Sequence, residues 1–206
     1  MALTFPLSLA QFWDQLKVAE ITNWKPTVVQ SVAQLGDGTV LRSTRGATLW
    51  RGTAQLTPGY HEDAARIEAL LSLLEYPGAS FLAYDPRKPT LTVPAFTGSP
   101  TIGSISSSRR DMTLANFTGT ITPGDLLSFT YGSSPTRYAL HRAVTGATGT
   151  QTFEVTPPIR LGAAVGAAVT LTKPVAKCVL APDPSYGSGR PLITAGASFN
   201  IVQTLG

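Results

Sequence analysis

Between residues 27 and 56 apolar and polar positions alternate with the period of a strand. Thr27-Val-Val-Gln-Ser-Val-Ala-Gln-Leu35 and Thr39-Val-Leu-Arg42 flank Gly36-Asp37-Gly38, a short glycine-containing link that predicts a hairpin turn. Ala47-Thr-Leu-Trp-Arg-Gly-Thr-Ala-Gln-Leu56 predicts a long strand. Trp50, Ala54 and Leu56 share one face of it and Arg51, Thr53 and Gln55 the other, so one face is expected to be buried. Then the period changes. Thr57-Pro58 opens a segment with Glu62 and Asp63 early in it, where negative charge suits a helix N-terminus. Ala64, Ile67, Leu70, Leu71 and Leu74 recur at helical spacing, and Tyr76-Pro77-Gly78 stops the run. The pattern predicts one helix near 60–76, with its leucine stripe facing the core. Ala79-Ser-Phe-Leu-Ala-Tyr84 predicts another strand, ended by Asp85-Pro86.

After Pro89 the texture shifts to short β-rich runs among Gly, Ser and Thr. The candidates are Ser104–Ser107, Met112–Phe117, Leu126–Tyr131, Tyr138–Val144, Thr152–Thr156 and Val165–Thr172. So many short strands so close together suit a small barrel or sandwich. Lys177–Ala181 and Ile193–Gln203 close the chain, with a Gly/Pro/Ser loop from Pro182 to Pro191 between them. The expected fold is mainly β with one amphipathic helix. Residues 1–90 and 175–206 form a β-barrel or sandwich lobe that holds the helix. Residues 91–174 form a smaller β-barrel lobe inserted into it, and both lobes are antiparallel or mixed.

Composition narrows the class. Of 206 residues, 14% are charged, where an ordinary soluble domain carries about 25%. Hydrophobic residues are 43%, which excludes intrinsic disorder. A surface so poor in charge points to burial against other subunits. No apolar run reaches the ~18 residues of a membrane-spanning helix. The start, Met1-Ala-Leu-Thr-Phe-Pro-Leu-Ser-Leu-Ala10, lacks a positive n-region and does not read as a signal peptide. Cys178 is the one cysteine, so no disulfide framework forms within the chain, and a small buried apolar role is expected for it. A cytoplasmic chain, or one that assembles there, fits these features. Net charge is +4, with the arginines scattered. The one doublet, Arg109-Arg110, reads as a solvated loop, not as a nucleic-acid face.

The residues offer little chemistry. His61 and His141 are the two histidines, and neither has ligand spacing for zinc. Each is read as a surface or hydrogen-bonded side chain. Gly187-Ser188-Gly189 fails the nucleophile-elbow pattern because Tyr186 and Arg190 stand where glycines belong. Gly162-Ala-Ala-Val-Gly-Ala-Ala168 lacks the Lys-Ser/Thr of a phosphate loop. Paired carboxylates are not excluded by spacing. The obvious acids nonetheless have structural places: Asp37 in a turn, Glu62 and Asp63 at the helix start, Asp85 before Pro86, Asp125 after Gly124. Trp13, Trp24 and Trp50 read as core or interface anchors before sugar platforms. No catalytic, cofactor-binding or metal-ligating residue is assigned, and no enzyme activity is expected.

One resemblance gives the pattern a context. Leu49-Trp-Arg-Gly-Thr-Ala-Gln-Leu56, the Ala/Leu-rich helix, and Gly78-Ala-Ser-Phe-Leu-Ala-Tyr-Asp-Pro86 resemble distal tail proteins of long-tailed, siphovirus-like phages and of gene transfer agents. Gly124-Asp-Leu-Leu-Ser-Phe129, Tyr138-Ala-Leu-His-Arg-Ala-Val144, Phe153-Glu-Val-Thr-Pro-Pro-Ile-Arg160 and Val169-Thr-Leu-Thr-Lys-Pro174 extend the likeness. It covers roughly residues 45–180, and related minor tail proteins share its motifs.

The resemblance implies a structural subunit of the virion tail tip, or baseplate, assembled in the host cytoplasm. Such proteins form a homohexameric ring whose tube-like lobe lines a central DNA ejection channel while the inserted lobe faces outward. The partners implied are other copies of the chain, the tail tube protein above, a commonly trimeric hub protein below, and the tape measure protein. Flexible loops at Ser104–Arg110 and Pro182–Pro191 would suit a six-fold to three-fold adaptor. No cofactor or metal is implied, and no tight nucleic-acid binding is expected, since a channel that passes DNA cannot hold its phosphates. Two other readings remain open: a carbohydrate-binding host-attachment module centred on the inserted lobe, and another minor tail or tube subunit. Against the first, the lobe's aromatics (Phe96, Phe117, Phe129, Tyr131, Tyr138, Phe153) fall mostly inside strands. Against the second, a plain tube protein needs only one barrel.

Overall fold

The structure, a computed structural model, describes residues 3–206. Met1 and Ala2, the first two residues of the mildly apolar start, lie outside the described residues. Strands hold 43% of the chain and helices 10%, so the fold is mainly β, with a single α-helix among the described residues, as the periodicity predicts.

The first sheet runs in the order β1 (Val18–Thr27), β4 (Leu49–Leu56), Ser198–Gln203, Ala176–Leu180 and Phe81–Ala83, each strand antiparallel to its neighbour. Between β1 and β4 in sequence lie β2 (Gln30–Gln34) and β3 (Val40–Thr44), described below. The alternation of β4 is realised: Trp50, Ala54 and Leu56 are buried while Arg51 and Gln55 are exposed. Phe199 and Ile201, Ala176 and Cys178, and Phe81 extend the buried face across the sheet. Helix α1 (His61–Leu74) closes the core with Leu71 and Leu74, with Ile67 and Leu70 packed beside them. Its negative first turn, Glu62 and Asp63, is where the helix dipole favours acids.

Two elements have no counterpart in the sequence pattern. Two 3₁₀ turns, Leu9–Gln11 and Trp13–Gln15, shape a stretch that lays Leu7, Phe12, Trp13 and Leu16 into the core. Phe12 meets Phe81 edge to face at 4.8 Å. Leu7 also pairs in parallel with Phe81, donating its N–H to Ser80 O and accepting one from Leu82. That contact seals the outer edge of the first sheet, which would otherwise offer a free edge to other chains. At the opposite edge, β1 hides its alternation behind two register shifts, between Val18 and Glu20 and between Thr22 and Lys25, and carries Pro26. Bulges and an edge proline are the usual means of blunting a free strand.

The second sheet runs Val169–Thr170, Leu126–Tyr131, Arg137–Ala143, Phe153–Thr156, Asp111–Ala115, Thr101–Ile105. It curls into a nearly closed barrel, because Thr101 bridges back to Ala168 and Ile102 N–H reaches Ala167 O. Ile102, Met112, Leu114, Leu127, Phe129, Phe153 and Val155 fill it. Three expected strands depart from the pattern: Ser104–Ser107 is the end of strand Thr101–Ile105 running into a turn, and two others are shorter. Of Val165–Thr172 only Val169–Thr170 is strand. Ile193–Gln203 is two strands, Ile193–Ala195 and Ser198–Gln203, parted at Gly196, whose φ of 82° is left-handed backbone that glycine adopts without strain. The first of these pairs with Ser188–Arg190 and Gly59–Tyr60 in a separate small sheet, so the Pro182–Pro191 loop is partly strand.

The two cores meet along Arg137–Ala143. Leu140 is buried in the first core, while Ala139 and Ala143 belong to the second. Trp50 Nε1 donates to Leu140 O at 2.7 Å, and Gln203 Nε2 donates to Tyr138 O at 3.0 Å. Arg142 stacks over the Trp50 ring at 5.1 Å and donates to Trp24 O. Arg160 donates to Thr48 O at 2.6 Å.

Candidate interaction surfaces

The β1–β4 pair does not stop where the sheet stops. Beyond the last body pair, Thr27 with Leu49, Arg45 N–H bonds Val29 O. Pairing resumes as β2 with β3, from Gln30–Thr44 to Gln34–Val40, and Leu35 N–H closes the loop on Thr39 O. Residues 18–56 are therefore one long hairpin, rooted in the core, with its outer half standing off the body. About eight residues per strand at ~3.3 Å each give an arm of roughly 25 Å. Among the described residues no third strand joins β2 or β3. Val32 is 60% exposed and Leu41 52%, and Val28, Val29, Leu35 and Val40 are exposed with them. One face of the arm carries Val32, Val40 and Arg42, the other Ala33 and Leu41.

Gln203 explains where the arm begins. Its Oε1 accepts the Trp50 N–H at 3.2 Å, taking the place of the next rung of the ladder. The chain then turns away, with Thr204 N–H on Lys177 O. Past Trp50, β4 has lost its second neighbour.

The outer face of the first sheet is mostly polar, with Val179 and Val202 sharing it. Thr22, Thr53, Gln55, Ser198 and Asn200 line it, with Thr53 Oγ1 donating to Asn200 Oδ1 at 2.6 Å. Its charged members are Lys25, Arg51 and Lys177 against Glu20, three cations to one anion.

At the other end of β1 and β4 lies a recess beside α1. A slot of about 50 Å³ is floored by Leu56, Ile67, Leu71 and Ala197. An open notch of about 430 Å³, formed by Tyr60, Glu62 and Leu192, adjoins it at Asp63. Tyr60 is 71% exposed and Leu192 78%. His61, the first residue of α1, is a fastener here: Nε2–H donates to Arg190 O and Nδ1 shares a hydrogen bond with the Thr194 hydroxyl, both at 2.9 Å.

His141 lies inside the barrel wall, stacked on Phe129 at 5.2 Å, with Nδ1–H donating to Pro157 O at 2.7 Å. Its Nε2 is buried without a partner. Burial pushes its pKa down to about 4, the Arg160 charge acting in the same direction and the Pro157 hydrogen bond against it. The neutral ring is thus the native form, whereas an unfolded histidine protonates near pH 6.5. Stability is expected to be full above pH 6.5, to fall as pH drops from 6.5 to 4, and to be flat in this respect below 4. The whole loss is on the order of 3 kcal/mol. Urea titrations across that window check it, and a His141→Gln chain, whatever its own stability, is expected to lose the slope.

Cys178 is fully buried, and burial raises its thiol pKa, as suits an inert apolar filler. Trp13, Trp24 and Trp50 are at most 2% exposed, so none presents a ring to a sugar. Of the second lobe's aromatics, Phe117, Phe129, Tyr131 and Phe153 are buried and Phe96 and Tyr138 half-buried. Arg109 donates to Arg160 O within a turn that Ser106 N–H closes on Asp111 O, while Arg110 is exposed. Among the described residues no three His, Cys, Asp or Glu side chains converge, and no helix is long and apolar enough to cross a membrane. No protein-family model matches the chain, and no curated protein matches it.

Proposed function

We propose that the chain is a ring-forming structural subunit of a phage tail tip, of the distal tail kind. Six copies would join the tail tube to a trimeric hub and surround the channel through which DNA leaves. The observation that carries this reading is the bare arm at residues 28–45. A two-stranded ribbon is marginal by itself in water. One that exposes six Val and Leu side chains on a chain with 14% charge calls for cover from outside the protomer. A contact between unlike surfaces, repeated by a rotation that divides a full turn, closes into a ring. The outer face of the first sheet, lined by the hydroxyls and amides of Thr22, Thr53, Gln55, Ser198 and Asn200, is the surface assigned to the channel wall. The resemblance over residues 45–180 supplies the tail context and the six-fold count.

Shortening the arm tests the reading. In a chain with residues 29–45 replaced by Asn-Gly, the cores are untouched. The full chain is expected to have a mass near six times 21.7 kDa by light scattering, and the shortened chain to be a monomer with an unchanged near-ultraviolet dichroism spectrum. A shortened chain that keeps the mass of the full one contradicts the role given to the arm.

A further inference from the structure

Resting on that reading, we propose that the arm of one copy seats in the recess beside α1 of the next copy, so that this recess is the receptor for the ring contact. The observations come from both ends of the same hairpin. The arm leaves the sheet at Thr27 and Leu49, and the slot opens where Val18 pairs with Leu56. The eight residues of β4 separate the two ends by roughly 25 Å. An arm that points away from its own slot fills another copy's, and the contact is head to tail.

The two surfaces match in chemistry. The arm tip brings Leu35, Val40 and Leu41, all about half exposed. The recess offers an apolar floor of Leu56, Ile67 and Leu71, with Tyr60 and Leu192 standing exposed at its mouth. Charge agrees as well. Ion pairs among the described residues join Lys17 with Asp63, Arg87 with Asp85, Lys88 with Asp125 and Lys173 with Asp14. Outside these pairs the arm carries Arg42, Arg45 and Asp37, net positive, and the recess carries Glu62, Glu68 and Arg66, net negative. Rim charges of opposite sign steer docking and fix its register, and like charges placed there oppose it.

A charge exchange between two variants tests the pairing. Chain one carries Arg42→Glu and Arg45→Glu; chain two carries Glu62→Arg and Glu68→Arg. Each alone sets like net charge on arm and recess and is expected to assemble about tenfold or more weakly than the parent. Mixed in equal amounts, every contact is again of opposite sign, and the parent's mass returns in an alternating ring. Ala64→Trp, which fills the slot without altering charge, is expected to weaken assembly independently. If the parent forms rings and the variants assemble as well as the parent, the recess is not the receptor, although the ring reading stands. If the parent stays monomeric, the ring reading itself fails. Thermal melts of each variant separate lost folding from lost docking, and the mixing arm needs no variant to be inactive on its own.

Discussion

Replacing Asp125 with alanine is expected to lower the unfolding free energy by about 3–5 kcal/mol, the range for removing one partner of a buried ion pair. Asp125 is completely buried. Its Oδ1 accepts the N–H of Thr92 at 2.8 Å, the Thr92 hydroxyl at 2.6 Å and lies 3.0 Å from Lys88 Nζ. Its Oδ2 accepts the N–H and hydroxyl of Thr122 at 2.8 and 3.0 Å. One carboxylate thus ties the 88–92 crossing between the lobes to the Thr122–Asp125 turn of the barrel. Alanine leaves the Thr92 and Thr122 donors and the Lys88 ammonium unmatched. Asparagine keeps the shape but turns a donor toward Thr122 and loses the ion pair, so a smaller loss of about 1–3 kcal/mol is expected. Burial alone would raise the pKa of this carboxyl; the hydrogen bonds from Thr92, Thr122 and Lys88 overcome it and hold the group below the ordinary aspartate value. Its contribution is present above the unfolded aspartate pKa and is lost as pH falls through the lowered folded one. The Asp125 limb of an acid titration therefore lies below that of His141. Urea unfolding of the variants at pH 7 gives the magnitudes.

Replacing Trp50 with alanine is expected to cost a similar 3–5 kcal/mol, as for other fully buried tryptophans, and to change the form of unfolding. Trp50 is 0% exposed and packs on Trp24 at 5.7 Å. It joins the two cores through the Leu140 hydrogen bond and the Arg142 stack. Its loss empties the first core and unfastens the second from it. The parent is expected to unfold in one transition by all probes, whereas Trp50→Ala separates the barrel's transition from that of the first sheet. Trp50→Phe keeps most of the packing but loses the Leu140 bond, and a cost of about 1–2 kcal/mol with one transition is expected. Superimposable transitions in Trp50→Ala would show that the joint does not depend on this residue.

Periodicity made some of this fold legible and left particular pieces hidden. The β4 alternation, the α1 stripe and four of the barrel strands read directly, because each carries a run of apolar or β-branched residues between clear turn signals. Residues 7–27 did not, since 3₁₀ turns have no stable period and β1 is bulged with Asn23 at a φ of 53°. The β2–β3 hairpin was legible as a hairpin, but its standing alone was not. A ribbon exposed on both faces still carries valines and leucines, and those residues normally signal burial. The end of pairing at Gln203 depends on a side chain 153 residues from Trp50 in sequence, which no local pattern encodes. Gly52 is similar: a Cβ there would lie 2.9 Å from the Trp24 ring, a packing reason visible only once β1 is laid on β4. The recess beside α1 draws on Leu56, α1 and Leu192, three stretches that acquire a common meaning only in the folded chain.

The central claim is that the chain encloses a channel with copies of itself. Electron microscopy of the purified full chain, with its mass measured by light scattering on the same sample, tests it most directly. A six-fold ring near six times 21.7 kDa, open at its centre and bounded there by the Thr53–Asn200 face of the first sheet, is the predicted result. A monomer at all concentrations, or a closed two-fold dimer with no central opening, contradicts it.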